Sequence, residues 1–513
     1  MTPADKAIVE YGDFQTPISF ASKVCQKLSA FYRLQPDIVI EPTFGAGNFF
    51  DGILAAFPRV RTLYGIEINK DYYKEALNSM EQNRTNLFGI ELYNADIFSF
   101  DFSDIKESVS NEDALLIIGN PPWATNSQLT ALGSANLPLK SNFKGCSGFE
   151  AVTGKGNFDI AEYIVLQLLN EFANHNCTLA MLCKTIVAKN ILRDIDKFAF
   201  SISSMNMFLF DANEVFGVNC DAGLLVVCLG KPATEVCAVY DFDSEKKIRE
   251  FGWLQGAFYA SIQDNNKRSD IDGKCQFEWR QGVKHDCSRV MELKAVDSDF
   301  FQNGLGEVCS FQLGKYIYPL IKSSDIKAYE INDTRKYVIV PQKRVKEDTS
   351  QIQDHDSALW EYLQRHDDYL SARQSVIYRN SPKYSIFGIG DYSFTKYKVG
   401  MSGFYKEPRF ALIKGDIPVM LDDTCYFLSF DDIETAVITL ALLNSPECLT
   451  FLKSIAFLDS KRPYTKDILR RIDLEKLSKI VSFDYICSFA DALPSDYYLT
   501  EPDYYNYQSS LLT

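Results

Sequence analysis

The sequence predicts a doubly wound, mostly parallel α/β sheet over residues 1–240 and a separate α+β region over 256–513. Three observations lead there. Strand-length apolar runs alternate with segments of helical spacing through the first 230 residues. Four successive runs close on a polar residue, Glu41, Glu67, Asp96 and Asn120, at a pitch of 24–29 residues. After about residue 232 this rhythm gives way to short Tyr-rich runs broken by Gly and Pro turns.

The elements follow in order. "DIVIEP" is the first strand, and "GNFFDGILAAF" continues it with apolar residues at i, i+3, i+4 spacing. "TLYGIEIN" and the helical "KDYYKEALNSMEQN" form the next unit. "ELYNADIF" and "ALLIIGNPP" supply the third and fourth strands, and "CTLAMLCK", "MNMFLF" and "AGLLVVCLG" supply later ones. The pitch is that of successive βα units in a parallel sheet. Ligands of such sheets bind outside the carboxyl ends of the strands, so four polar tips line one crevice.

Composition sets bounds on function. Apolar content is 46% and charged content 24%, both ordinary for a soluble globular protein. No apolar run reaches membrane-spanning length, and "MTPADKAIVEYGDFQTP" lacks a signal-peptide pattern, so a cytosolic protein with no membrane partner is expected. Thirteen scattered cysteines without C-x-x-C pairs, and four histidines, predict no metal site and no disulfide framework. The net charge of −15 argues against a nucleic-acid partner, but it hides a basic zone. Residues 371–414 hold eight Lys/Arg against two acids, among nine Tyr/Phe, and "RKYVIVPQKRVK" forms a second cluster.

The tips carry the chemistry. In "EPTFGAGNFF", Gly45 and Gly47 permit a tight turn and a close approach of backbone to a ligand. G-x-G without a third glycine is not a dinucleotide fingerprint, and a P-loop lysine is absent. Glu67 can take both hydroxyls of a ribose, and Asp96 can accept from an adenine amino group. Ile66, Ile68 and Ile97 are placed to sandwich the ring. Together they fit an adenosine-bearing ligand without a pyrophosphate. The fourth run stops at "NPPW", Asn120 to Trp123, where two prolines fix two φ angles and remove two donors.

This series resembles the motifs of S-adenosylmethionine-dependent methyltransferases that act on amino groups. Asn-Pro-Pro-Trp is similar to the corner of the DNA adenine-N6 enzymes, and the motif order to their gamma class, which includes Type II restriction-modification methyltransferases. The resemblance covers about residues 10–232 and implies a methyltransferase sheet followed by a C-terminal target-recognition domain. "GDFQTP" is similar to the N-terminal cofactor motif, which implies that Gln15, Thr16 and Pro17 help hold the methionine part. Glu41, Thr43, Gly45, Gly47, Glu67, Ile68, Asp96, Ile97 and Asn120 complete the implied S-adenosyl-L-methionine site. "FDIAEYIVLQLL" resembles the helix after the corner, and "DANEVFGVNCDAGLLVV" the motif whose aromatic, here Phe216, packs on the target base.

The resemblance implies these roles at the corner. The Asn120 side-chain oxygen and the Pro121 carbonyl accept from the two N–H groups of the amine, and Pro122 keeps that carbonyl aimed. Trp123 stacks on a base flipped out of the duplex, and Phe216 closes its other side. Double-stranded DNA is then the expected partner. Arg335, Lys343, Arg344, Arg379, Lys383, Lys396, Lys398, Lys406 and Arg409 are the expected DNA-binding residues. The expected protein is a bacterial-type cytoplasmic, nucleoid-associated modification enzyme. Its cofactor-like motif starts at residue 12, so any restriction endonuclease would act as a separate protein. An N-methyltransferase acting on RNA adenine or on a protein glutamine is the open alternative.

Overall fold

A computed structural model of the chain describes residues 15–82, 89–124, 159–265, 269–297, 299–458 and 460–512. They divide into two compact units, residues 1–263 and 264–513.

The first unit is one ten-stranded sheet with helices. In chain order its elements are α1 (Ile18–Tyr32), β1 (Ile38–Glu41), α2 (Phe50–Ala56), β2 (Thr62–Glu67), α3 (Lys70–Gln82), β3 (Gly89–Asn94), α4 (Ser103–Ser108) and β4 (Leu115–Gly119). After residue 159 come α5 (Ile160–Glu171), β5 (Cys177–Lys184), α6 (Thr185–Arg193), β6 (Ile202–Asp211), α7 (Ala212–Phe216), β7 (Asp221–Leu229), β8 (Val236–Asp241), β9 (Lys247–Leu254) and β10 (Ala257–Tyr259). The spatial order is β10-β9-β8-β6-β7-β5-β4-β1-β2-β3.

Strands β3, β2, β1, β4 and β5 are mutually parallel. β1 and β4 are buried along their whole length, which is why their sequences read as unbroken apolar runs. The chain runs outward from β1 to β3, then returns to lay β4 on the other side of β1. The topological switch, and with it the expected crevice, lies at the carboxyl ends of β1 and β4. Beyond β5 the sheet changes direction: β7 enters antiparallel between β5 and β6. Strands β8 to β10 extend the same sheet, so the change of composition near residue 232 falls inside this unit, and residues 257–259 belong to its sheet.

The second unit contains two sheets and a helical layer. Its strands are β11 (Arg280–Gln281), β12 (Glu292–Ala295), β13 (Phe300–Asn303), β14 (Val308–Ser310), β15 (Ile317–Ile321), β16 (Glu330–Ile331), β17 (Lys336–Ile339), β18 (Tyr397–Ser402), β19 (Phe410–Lys414), β20 (Met420–Leu421) and β21 (Cys425–Phe430). One sheet runs β11-β21-β18-β19-β16 and the other β14-β13-β12-β17-β15-β20. The helix Ile433–Leu443 is buried from Ala436 to Leu443 and packs on the first of these sheets. Among the described residues no single helix is long and apolar enough to cross a membrane.

Lys398 departs from its expected place. It lies on β18, which is flanked by β21 and β19, and its side chain is 1% exposed. Its ammonium donates to the Thr395 carbonyl at 2.9 Å, and burial pulls its pKa down to about 7. It therefore leaves the set of solvent-facing phosphate contacts. The unfolded lysine binds its proton up to the usual range near 10.5, the folded one only up to about 7. Stability should rise with pH between those values, and below about 7 the full cost of burying the charge remains. Lys398→Met is expected to gain a few kcal/mol at pH 7 and to flatten this rise. Thermal melts of both proteins between pH 6 and 10 check it.

Candidate active site

A cleft opens at the topological switch. Gln15, Thr16, Glu41, Thr43, Gly45, Glu67, Ile68, Asp96, Ile97, Asn120 and Pro122 all line it. Pro17, Gly47 and Pro121 are not among the lining residues. Pro17 starts α1, where its carbonyl takes the first helical N–H groups, and residues 12–14 of "GDFQTP" lie outside the described residues. Ile66 lies inside β2, where both faces are covered, and is fully buried, whereas Ile68, past the strand end, lines the cleft.

The Gly-rich turn is shaped by its neighbours. Gly45 and Gly47 adopt φ of 55° and 83°, in the left-handed region. A Cβ on Gly45 would meet the Gln15 amide at 2.6 Å, and one on Gly47 the Phe50 ring at 2.8 Å. The segment before α1 clasps this turn. Gln15 Oε1 accepts from the Ala46 N–H, and Asn48 Nδ2 donates to the Thr16 carbonyl at 2.8 Å.

Glu67 at the tip of β2 organises two loops at once. Its Oε2 accepts from Gly45 N–H at 2.8 Å and its Oε1 from Asn69 N–H at 2.7 Å. Asp96 lies two residues beyond β3, where its Oδ1 accepts from Phe98 N–H at 3.0 Å. The neighbouring Ile97 carbonyl takes a bond from Gln167 Nε2 of α5, which ties this loop to the helix behind it.

Glu41 ends β1 and is buried. Its Oε2 meets no hydrogen-bond partner among the described residues. Burial first, then repulsion from Glu67, raises its carboxyl well above the usual range. A cation brought to this oxygen would restore the charged form and satisfy the orphan acceptor.

The corner follows β4. Thr43 Oγ1 donates to the Asn120 carbonyl at 3.4 Å, joining it to the Gly-rich turn. Trp123 is buried, and its indole N–H donates to the Leu182 carbonyl at 3.0 Å. Its ring meets Phe216 edge to face, centroids 5.1 Å apart. Phe216 also touches Phe20 and Phe210. In this structure the two rings thus pack on each other.

Sequence reasoning missed part of the lining: Asn48, Phe49, Tyr72, Phe98 and Ile164. Asn48 and Phe49 adjoin the Gly-rich turn, so that motif was their signal. Tyr72, Phe98 and Ile164 come from α3, the loop after β3 and α5, and only the fold brings them in.

Of the expected DNA-binding residues, several hold internal partners. Arg335 pairs with Asp325, Arg344 with Asp391 at 2.9 Å, and Lys383 with Asp367 at 3.3 Å. Arg409 donates to the Lys327 carbonyl and lies over the Tyr329 ring. Lys343, Arg379, Lys396 and Lys406 are exposed and meet no carboxylate among the described residues. One cluster went unread in the sequence: His285, Glu292 and Asp422 place three potential ligand atoms within 4.8 Å of one another. Lys322 Nζ already bridges Glu292 and Asp422, at 2.6 and 3.3 Å, and Lys336 also bonds Glu292. The group is an ion-pair network inside the second unit.

Five parallel strands with an antiparallel β7 between β5 and β6, and a cleft at the β1–β4 switch, define a methyltransferase fold. The solved Type IIL restriction-modification enzyme MmeI, in complex with DNA, shares it: TM-score 0.52 at 13% identity, over 100% of this chain and 74% of that one. No family model matches the sequence. The Type II methyltransferase M.NspV of Nostoc sp. is 39% identical over 481 residues, 93% of this chain and 99% of the relative. The chain belongs to the Type II methyltransferases.

Proposed function

We propose that the protein is a DNA methyltransferase of a restriction-modification system, transferring a methyl group from S-adenosylmethionine to the exocyclic N6 of an adenine flipped out of duplex DNA. The observation that carries this reading is the Asn120 amide, on a proline-stiffened corner, in one cleft with Glu67 and Asp96.

The residues fit the cofactor. The orphan Glu41 oxygen suits a cationic group, the Glu67 lone pairs suit a ribose diol, and Asp96 with Ile68 and Ile97 suits an adenine. Gly45 leaves the turn free of a side chain where a ligand needs close backbone approach. When bound, the cofactor supplies an electrophilic methyl group on a sulfonium.

An adenine amine is a weak nucleophile because its lone pair is delocalised into the ring. The Asn120 side-chain oxygen and the Pro121 carbonyl accept from its two N–H groups and turn the lone pair toward the methyl carbon. Catalysis is placement and electrostatics. Trp123 anchors the corner in the form described, and Phe216 is the half-buried aromatic beside it.

The second unit is the proposed target-recognition domain. Lys343, Arg379, Lys396 and Lys406 are its proposed phosphate contacts, joined by Arg335, Arg344, Lys383 and Arg409 where DNA competes for them. Changing Lys343, Lys396 and Lys406 to Gln should lower the slope of log affinity against log salt by about 0.9 for each phosphate that is no longer neutralised. Arg335→Gln, which removes a paired charge, should lower it less. Salt titrations of DNA binding check both. The reading itself is tested by incubating the protein with labelled cofactor and, separately, unmethylated plasmid, total RNA and a protein extract. Label in plasmid alone supports it. Label in RNA or at protein glutamine moves the substrate, and label nowhere overturns the reading.

A further inference from the structure

The proline corner cannot be held in the usual way. Pro121 and Pro122 have no N–H, so nothing on the main chain there can donate to a neighbour. The corner's flanking carbonyls take donors from outside it. Upstream, Thr43 Oγ1 reaches the Asn120 carbonyl. Downstream, Lys184 Nζ donates to the Trp123 carbonyl at 2.7 Å.

Lys184 is built for this place. It is the last residue of β5, whose pairing with β4 ends at Gly119 and Met181. Leu182, Cys183 and Lys184 overhang that end, held on the other side by Leu224, Gly223 and Ala222 of β7. From this overhang the Leu182 carbonyl accepts the Trp123 indole, and the Lys184 ammonium takes the Trp123 carbonyl. The same ammonium bonds Asp159 Oδ2 at 2.8 Å. Asp159 caps α5 through the Ala161 N–H, and the Ile160 N–H donates to the Ala124 carbonyl at 2.9 Å. One lysine thus ties the exit of the corner, at Trp123, to the start of α5, whose Ile164 lines the cleft.

We propose that Lys184 is a positioning residue for methyl transfer: it fixes the downstream end of the Asn120–Trp123 corner, and so the direction of its acceptors, while touching neither cofactor nor base. The proposal rests on the reading of the corner as the amine-binding element. A helix cap alone does not need this lysine, because Asp159 already accepts from the helix N–H. A lysine holding only a carboxylate would not reach the carbonyl of the corner.

The test uses the full-length protein and three variants, K184M, K184R and the double variant D159N/K184M. K184M is expected to lower kcat on unmethylated plasmid about 10- to 100-fold, the cost of a small misplacement of a reacting group. The cofactor dissociation constant should stay within about threefold. K184R should recover part of kcat, since it can still donate to the carbonyl. D159N/K184M removes the buried unpaired carboxylate, so its Tm should return toward wild type while kcat stays low. Recovery of kcat together with Tm would make the lysine merely structural and overturn the proposal, as would wild-type kcat in K184M. Amide exchange gives a readout free of substrate: K184M should speed exchange of peptides from Trp123–Ala124 and Asp159–Tyr163, and unchanged exchange overturns the clamp. A wild-type protein that methylates no DNA overturns the proposed function instead, and exchange alone then decides the clamp.

Discussion

Asn120→Ala is expected to lower methyl transfer about 10²–10³-fold, the usual cost of deleting one preorganised group that meets charge developing in a transition state. Asn120 follows the last residue of a fully buried strand, and its carbonyl is bonded by Thr43, so the backbone at this point is fixed before substrate arrives. Only the side chain changes in the variant. The amine then keeps one acceptor, the Pro121 carbonyl, and its lone pair is no longer held in line. The loss should appear in kcat, because the interaction strengthens as charge develops on nitrogen. Cofactor binding by calorimetry should change less than about threefold, since Glu41, Gly45, Glu67 and Asp96 are untouched. Wild-type turnover in this variant would remove Asn120 from the mechanism.

Glu67→Ala is expected to have the opposite signature. Its carboxylate accepts from Gly45 N–H and Asn69 N–H, and thereby joins the Gly-rich turn to the start of α3. It also carries the proposed ribose contacts. Hydrogen bonds to a charged group contribute roughly 1.5–3 kcal/mol each, so losing two to the cofactor predicts affinity weaker by on the order of 10²–10⁴-fold. At saturating cofactor, kcat should fall much less. Glu67→Gln keeps one acceptor oxygen and should fall between. Equilibrium binding of the cofactor to the three proteins decides this, and equal affinity in all three would contradict the ribose role.

The parallel half of the sheet was legible because β1 and β4 are buried on both faces, and their burial writes itself as continuous apolar sequence. The tips were legible because a charged or amide residue ending such a run is costly unless it faces a crevice. Direction was not legible. Nothing in "AGLLVVCLG" tells that β7 runs antiparallel between β5 and β6, because pairing is a property of the partner strand. Composition also misled at Lys398, which counts as a surface charge in a basic stretch yet sits in an interior strand of its sheet. The packing of the two rings was not legible either: Trp123 and Phe216 were each placed by motif, and their mutual packing is set by β5 and α7 together. Lys184 carries no local signal, since its partners lie 61 and 25 residues away.

On the proposed function, this corner presents two acceptors to an adenine amine in DNA. Plasmid DNA from a methylation-deficient host, treated with the protein and S-adenosylmethionine, can be digested to nucleosides and analysed by mass spectrometry. N6-methyladenine is expected in the treated sample, absent when cofactor is omitted and lost with Asn120→Ala. N4-methylcytosine or 5-methylcytosine in its place, or unmodified nucleosides throughout, would contradict it.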